Sequence, residues 1–160
     1  MSNCRRNNRL SCRELIDNGI TTCREGLAEC QAGLDEVYRN NVARGLREIR
    51  NGKCLCQQGI DCCQRGINRG GFQNSNTCSG LRECRQAVRN INFGCCEIKN
   101  NNVGDGTINV EEGIRECEEG LNRIISGLNN LDVVASSFRL TNEGEPLRIS
   151  PTMKIRNDNL

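Results

Sequence analysis

The chain is nearly devoid of aromatic side chains and has no histidine. Among 160 residues there is one Tyr, three Phe and no Trp, so large rings cannot fill an interior, and a core must be thin and built from Ile, Leu, Val and Cys. The missing imidazole removes several chemistries at once: Ser-His-Asp and Cys-His nucleophile activation, the Glu-x-x-His di-iron bundle and Cys2His2 zinc all depend on it. No stretch approaches the roughly 18 apolar residues of a membrane span, and the start Met1-Ser2-Asn3-Cys4-Arg5-Arg6 has no apolar core of a secretory signal. No Cys-x-x-Cys occurs, which leaves neither a zinc knuckle nor a thioredoxin-like pair. The net charge is only +2, with Arg and Glu interleaved as in Arg24-Glu25 and Arg115-Glu116, so the unopposed basic face of a nucleic-acid binder is absent. These gaps predict a chain made in the cytosol that is no enzyme, needs no cofactor, and engages neither nucleic acid nor membrane.

What the chain has instead is a heptad of cysteine and glycine, with 13 Cys and 17 Gly in all. Apolar positions run Ile16, Ile20, Cys23, Leu27, Cys30, Leu34, with spacings of three and four. The beat returns as Val42, Leu46, Ile49, then Cys56, Ile60, Cys63, Ile67; again as Leu81, Cys84, Val88, Ile91, Cys95; and last from Val110 to Leu131 through Ile114, Cys117, Leu121, Ile124 and Leu128. This is a coiled-coil seam written four times. Glycine precedes many of the knobs, as at Gly19, Gly26, Gly59 and Gly120. Each costs roughly 1 kcal/mol of helix propensity, which close approach of helix backbones can offset.

The predicted fold is mainly α: an antiparallel helical bundle with a short C-terminal β tail. Residues 1–11 form a flexible Cys/Arg/Asn arm, 12–132 the bundle, and 133–160 a β-hairpin or extended tail. Ser11 and Glu14 make a capping box that places helix 1 at about 12–38. Arg39-Asn40-Asn41 breaks the phase and predicts a tight helical hairpin, and Gly70-Gly71 a firm stop. Thr77 can cap a helix over about 78–99, and Asn109 with Glu112 opens the fourth. Beyond Val133, Ser136–Thr141 and Leu147–Ile149 alternate apolar and polar residues around Asn142–Pro146, a two-strand pattern that Met153 and Ile155 can extend.

Two acidic features resemble sites and are read as plain structure. Glu111, Glu112, Glu116, Glu118 and Glu119 complement a helix start rather than forming an acid/base pair. With Gly106 at the sixth place, Asn101, Asp105, Ile108, Asn109 and Glu112 partly match a calcium loop, but Val103 stands where a third-place oxygen is needed. A turn and helix cap is the simpler reading.

The cysteines carry the remaining chemistry, and phase divides them into two sets. Cys23, Cys30, Cys56, Cys63, Cys84, Cys95 and Cys117 hold seam positions and face inward, as small hydrophobes, as interhelical disulfides, or as soft ligands for Cu(I). Cys4, Cys12, Cys54, Cys62, Cys78 and Cys96 lie off the seam and are candidates for cross-links between subunits. A four-helix bundle with many inward thiols resembles the bacterial copper-storage proteins, which implies Cu(I) held by the seam set. In composition the chain resembles the cysteine-rich coat and exosporium proteins of bacterial spores, which are made in the mother-cell cytosol and cross-linked into a layer later. That resemblance implies a self-assembling structural protein whose partners are itself and other cysteine-rich proteins, deposited on the spore surface. Metal storage stands as the alternative.

Overall fold

A computed structural model describes the backbone over residues 2–142 and the side chains over 11–132. All regular structure there is helical, in four elements: α1 Ser2–Tyr38, α2 Val42–Gly70, α3 Ser75–Lys99 and α4 Val103–Asn142. The heptads are long and amphipathic enough that each seam becomes one helix, and consecutive helices fold back on each other. Residues 1–127 form one compact unit that holds α1, α2, α3 and most of α4. A second unit begins at Leu128, and its described part is the end of α4.

The packing within this first unit is set by glycine. A Cβ placed on Gly26 would lie 2.4 Å from the Gly52 carbonyl oxygen, and one on Gly52 would lie 2.3 Å from that of Gly26. Gly19 with Gly59 and Gly33 with Gly45 repeat this reciprocal contact along α1 and α2. Gly80 with Gly120 and Gly94 with Gly106 do the same along α3 and α4. Real Cβ atoms do not come this close, so only glycine lets the two backbones touch. The close approach is what offsets its poor helix propensity.

A shift of 61 positions maps the first hairpin onto the second. Gly19, Cys23, Arg24, Gly33, Glu36, Asn40, Asn41, Gly45, Gly52, Cys56, Gly59 and Gly66 are matched by Gly80, Cys84, Arg85, Gly94, Glu97, Asn101, Asn102, Gly106, Gly113, Cys117, Gly120 and Gly127. The turns match in the same way. Asn40 and Asn101 have φ of 66° and 68°, a left-handed helix end that asparagine tolerates. The Asn41 amide donates to the Glu36 carbonyl at 2.9 Å, as Asn102 does to Glu97 at 2.9 Å.

Four expectations need correction. Residues 2–11 are not an arm: α1 starts at Ser2, so Ser11 and Glu14 are interior to it. The third helix is capped by Asn74, in a capping box with Thr77, and begins at Ser75. The fourth begins at Val103, not Asn109, which puts Asp105, Gly106, Ile108, Asn109 and Glu112 on a helix and rules out the calcium loop. The backbone of Ser136–Thr141, expected as a strand, continues α4. The tight turn at 39–41 is as expected. So is the stop after Gly70, where Gly71 is left-handed with φ 67° and its amide donates to Ile67. Residues 143–160, with the second expected strand, lie outside the described residues.

Candidate functional site

The seven seam cysteines are the most buried polarisable groups of the bundle. Cys23, Cys30, Cys56, Cys63, Cys84 and Cys117 have no exposed surface and Cys95 has 4%, as their heptad phase predicts. All twelve cysteines with described side chains are free thiols, so the interhelical disulfides expected as one reading of the seam are not formed. Several donate to carbonyls of the facing helix: Cys30 to Ile49, Cys56 to Cys23 and Cys63 to Ile16, at 3.4–3.5 Å. A thiol next to a glycine fits this role because its sulfur is small enough for the near-touching backbones and can still satisfy a weak donor.

Cys23, Cys56, Cys84 and Cys117 come one from each helix and occupy matched places in the two hairpins. The Cys23 and Cys117 sulfurs are 3.6 Å apart. Hydrogen bonding to Cys117 together with burial pushes the Cys23, Cys56 and Cys84 thiols up. Hydrogen bonding with Cys23, Cys56 and Cys84 pulls Cys117 down. Cys23, Cys56 and Cys84 are thus held as neutral thiols at neutral pH. Beyond it, burial pushes Cys63 up to about 12 and Cys95 up to about 11. Among the described residues no group of three or more Cys, Asp or Glu side chains stands in position to hold a metal ion.

The off-seam set divides further. Cys54, Cys78 and Cys96 are exposed and Cys62 is half-buried, with the Arg65 guanidinium donating to its sulfur at 3.2 Å. Cys12 is the correction: at 8% exposure it is a core residue, with its backbone carbonyl and Cβ against the glycines Gly66 and Gly70. It stands four residues before Ile16 and belongs to the seam, which starts one step earlier than its clear apolar run. The side chain of Cys4 lies outside the described residues.

Every described outward thiol is on α2 or α3. The matched positions on α4 and α1 are charged: Cys54 answers to Arg115, Cys62 to Arg123, Cys78 to Asp17 and Cys96 to Asp35. Those charged residues make surface interactions, Arg115 with Glu119 at 2.6 Å, Arg123 with Glu83 at 3.1 Å, Asp17 with Arg13 at 3.8 Å and Asp35 with Gln31 at 3.3 Å. Helices α2 and α3 therefore carry thiols where their counterparts α4 and α1 carry charge. The sequence held the signal for this in the 61-residue shift, which is marked by glycine and asparagine rather than by apolar residues.

No protein-family model matches the chain, and no curated protein or solved structure matches it either. No described helix is long and apolar enough to cross a membrane.

Proposed function

We propose that the protein is a self-assembling structural building block whose copies are tied together by disulfides between outward thiols, as in a protective layer, filament or lattice such as a spore surface. The observation that supports it is the confinement of Cys54, Cys62, Cys78 and Cys96 to α2 and α3, opposite charged residues at every matched position. Three exposed thiols and one half-buried thiol on two consecutive helices can bond a second copy or another cysteine-rich protein. Each bridge forms when two thiols give up two protons and two electrons to a low-molecular-weight disulfide, which leaves as two thiols. The buried seam thiols are shielded from that exchange and serve as core. The chain itself performs no catalytic step in this reading.

Intact-mass analysis without reductant tests it, with free thiols alkylated under denaturing conditions. The expected result is covalent multimers that collapse on reduction and are lost when Cys54, Cys62, Cys78 and Cys96 are all changed to Ser. Multimers unaffected by the quadruple change, or thirteen alkylated cysteines on a monomer, overturn it. The 3.6 Å approach of the Cys23 and Cys117 sulfurs is the one observation behind the second reading, soft-metal storage by the seam thiols with Cu(I) as cargo. The monomeric outcome leads to that reading, and metal analysis of the same material decides it.

A further inference from the structure

The glycine contacts show which parts of the bundle are locked and which are only docked. Every close Cβ approach between helices falls inside a hairpin: those of Gly19, Gly26, Gly33, Gly45, Gly52, Gly59 and Gly66 lie between α1 and α2, and those of Gly80, Gly94, Gly106, Gly113, Gly120 and Gly127 between α3 and α4. None joins one hairpin to the other. The hairpins meet instead through side chains. Arg24 donates to Glu118 at 2.8 Å and to Asn122 at 3.2 Å, and Arg85 donates to Asp61 at 3.2 Å and to Gln64 at 3.1 Å.

These two contacts are the same contact seen twice. A shift of 61 turns Arg24 into Arg85 and Asp61 into Asn122, so each hairpin offers the other this same contact, while Tyr38–Glu111 and Lys53–Asn92 cross between the hairpins without a matched counterpart. The docking surface is in this sense isologous, the form of a dimer interface written into one chain. The covalent link across it is only residues 71–74, where Gly71 has φ 67° and open space around it.

The cores of the hairpins also specify which partner fits. Buried Cys30 and Leu34 correspond to Ile91 and Cys95, Leu46 to Thr107, and Cys63 to Ile124. Leu34 and Leu46 sit one residue beyond the facing Gly33 and Gly45. Two copies of hairpin one would bring four leucines to that level, and two copies of hairpin two would bring only Cys and Thr. Unlike hairpins combine a large and a small pair, while like hairpins would overpack or leave a void.

We infer that the hairpins are exchangeable units: α1/α2 of one copy docks on α3/α4 of a second copy, through the surface each uses within its own chain. Opening separates the side chains that meet between the hairpins, the buried Cys23–Cys117 contact included, and leaves both glycine-locked hairpins intact. Reciprocal exchange gives a closed dimer, and one-way exchange an open run of subunits. This rests on the self-assembly reading and supplies a non-covalent route for it that needs no disulfide.

The test uses full-length chains with Cys4, Cys54, Cys62, Cys78 and Cys96 changed to Ser and reductant present, which separates exchange from cross-linking. Unlabelled and 15N-labelled protein are mixed at high concentration, brought briefly to partial unfolding, returned to buffer and weighed by native mass spectrometry. The expected result is a shift from the 17.8 kDa monomer to particles of twice that mass and above, containing both isotopic forms. Removing Gly71–Gln73 should make the dimer the main species, and inserting a Gly/Ser segment after Gln73 should return the monomer. Mixed particles that are absent, or that persist unchanged with the longer connector, overturn exchange. If the shortened chain fails to fold, the wild-type and lengthened connectors decide alone. Failure here leaves the disulfide reading standing, because that reading depends on the reductant-sensitive arm.

Discussion

The α1/α2 and α3/α4 hairpins share a frame and differ in what hangs on it. Glycines at the helix contact, Asn at the turn, and one cysteine per helix at the centre recur at a 61-residue shift, and each has a mechanical task. The residues that fail to recur are the remaining core cysteines and the outward ones. The turn and packing chemistry thus constrains both halves alike, while thiol placement is where they have diverged. Function is more usefully sought in the unmatched thiols than in the matched glycines.

The largest effect expected from this comparison comes from the frame. Gly52→Ala places a methyl 2.3 Å from the Gly26 carbonyl oxygen and 2.7 Å from the Cys30 amide. Backbones cannot yield as a flexible side chain does, so the hairpin must splay. A loss of about 3 kcal/mol is expected in urea denaturation, outweighing the roughly 1 kcal/mol that alanine gains in helix propensity. Gly104→Ala, with nothing within 4 Å, should be neutral or stabilising. Equal effects at the two sites would sink the claim that glycine locks the hairpins. The hairpins are not identical even here: Gly26 corresponds to Ala87, and a Cβ on the facing Gly113 would sit 2.8 Å from the Ala87 carbonyl oxygen, so the second hairpin is slightly less tight at that point.

A thiol difference gives the next effect, and it depends on pH. Buried Cys63 corresponds to Ile124, and burial raises Cys63 from 9.0 to about 12. The folded state keeps this proton while an unfolded chain gives it up, so the stability it contributes is intact below pH 9 and drains away as pH rises from 9 towards 12. The slope is at most about 1.4 kcal/mol per pH unit for one thiol. Cys95, raised to about 11, adds to it over pH 9–11. Denaturation midpoints should fall steeply above pH 9, and Cys63→Ile, which copies the second hairpin, should flatten the fall. A profile that is level from pH 8 to 10.5 would mean that these thiols are not buried in solution.

Much of this architecture was legible in the sequence because the heptad is a periodic burial signal. The seam positions of all seven inward cysteines, the turn at Asn40 and the stop at Gly71 follow from spacing and from left-handed backbone preferences. Cys12 was missed because its step to Ile16 precedes the obvious apolar run. The early starts of α1 and α4 were missed because polar residues such as Asn7 and Asp105 read as loop when their helix is held by its neighbours rather than by propensity. The duplication was hidden for a related reason: its markers are glycine and asparagine, which a search for apolar periodicity passes over.

Matched turns should respond alike. Asn40→Ala and Asn101→Ala each force a Cβ-bearing side chain without asparagine's tolerance into positive φ, at a cost of about 1 kcal/mol apiece. The glycine versions should be close to neutral. A clear inequality between the two positions would show that the hairpins are less equivalent than their backbone hydrogen bonds indicate.

The smallest effect is the most specific to the docking surface. Arg24 and Arg85 are each about two-fifths exposed, so solvent weakens their ion pairs. Either change to Ala should cost no more than about 0.5 kcal/mol. The informative quantity is the double-mutant cycle between Arg24 and Asn122 set beside that between Arg85 and Asp61. If the interface is isologous, both couplings are small and favourable, the Arg85 pair being somewhat the stronger because Asp61 is charged and Asn122 is not, and added salt should erase that excess. A coupling present on one side only would show that one contact holds the bundle together while its counterpart is incidental, and the reciprocity on which hairpin exchange depends would be lost.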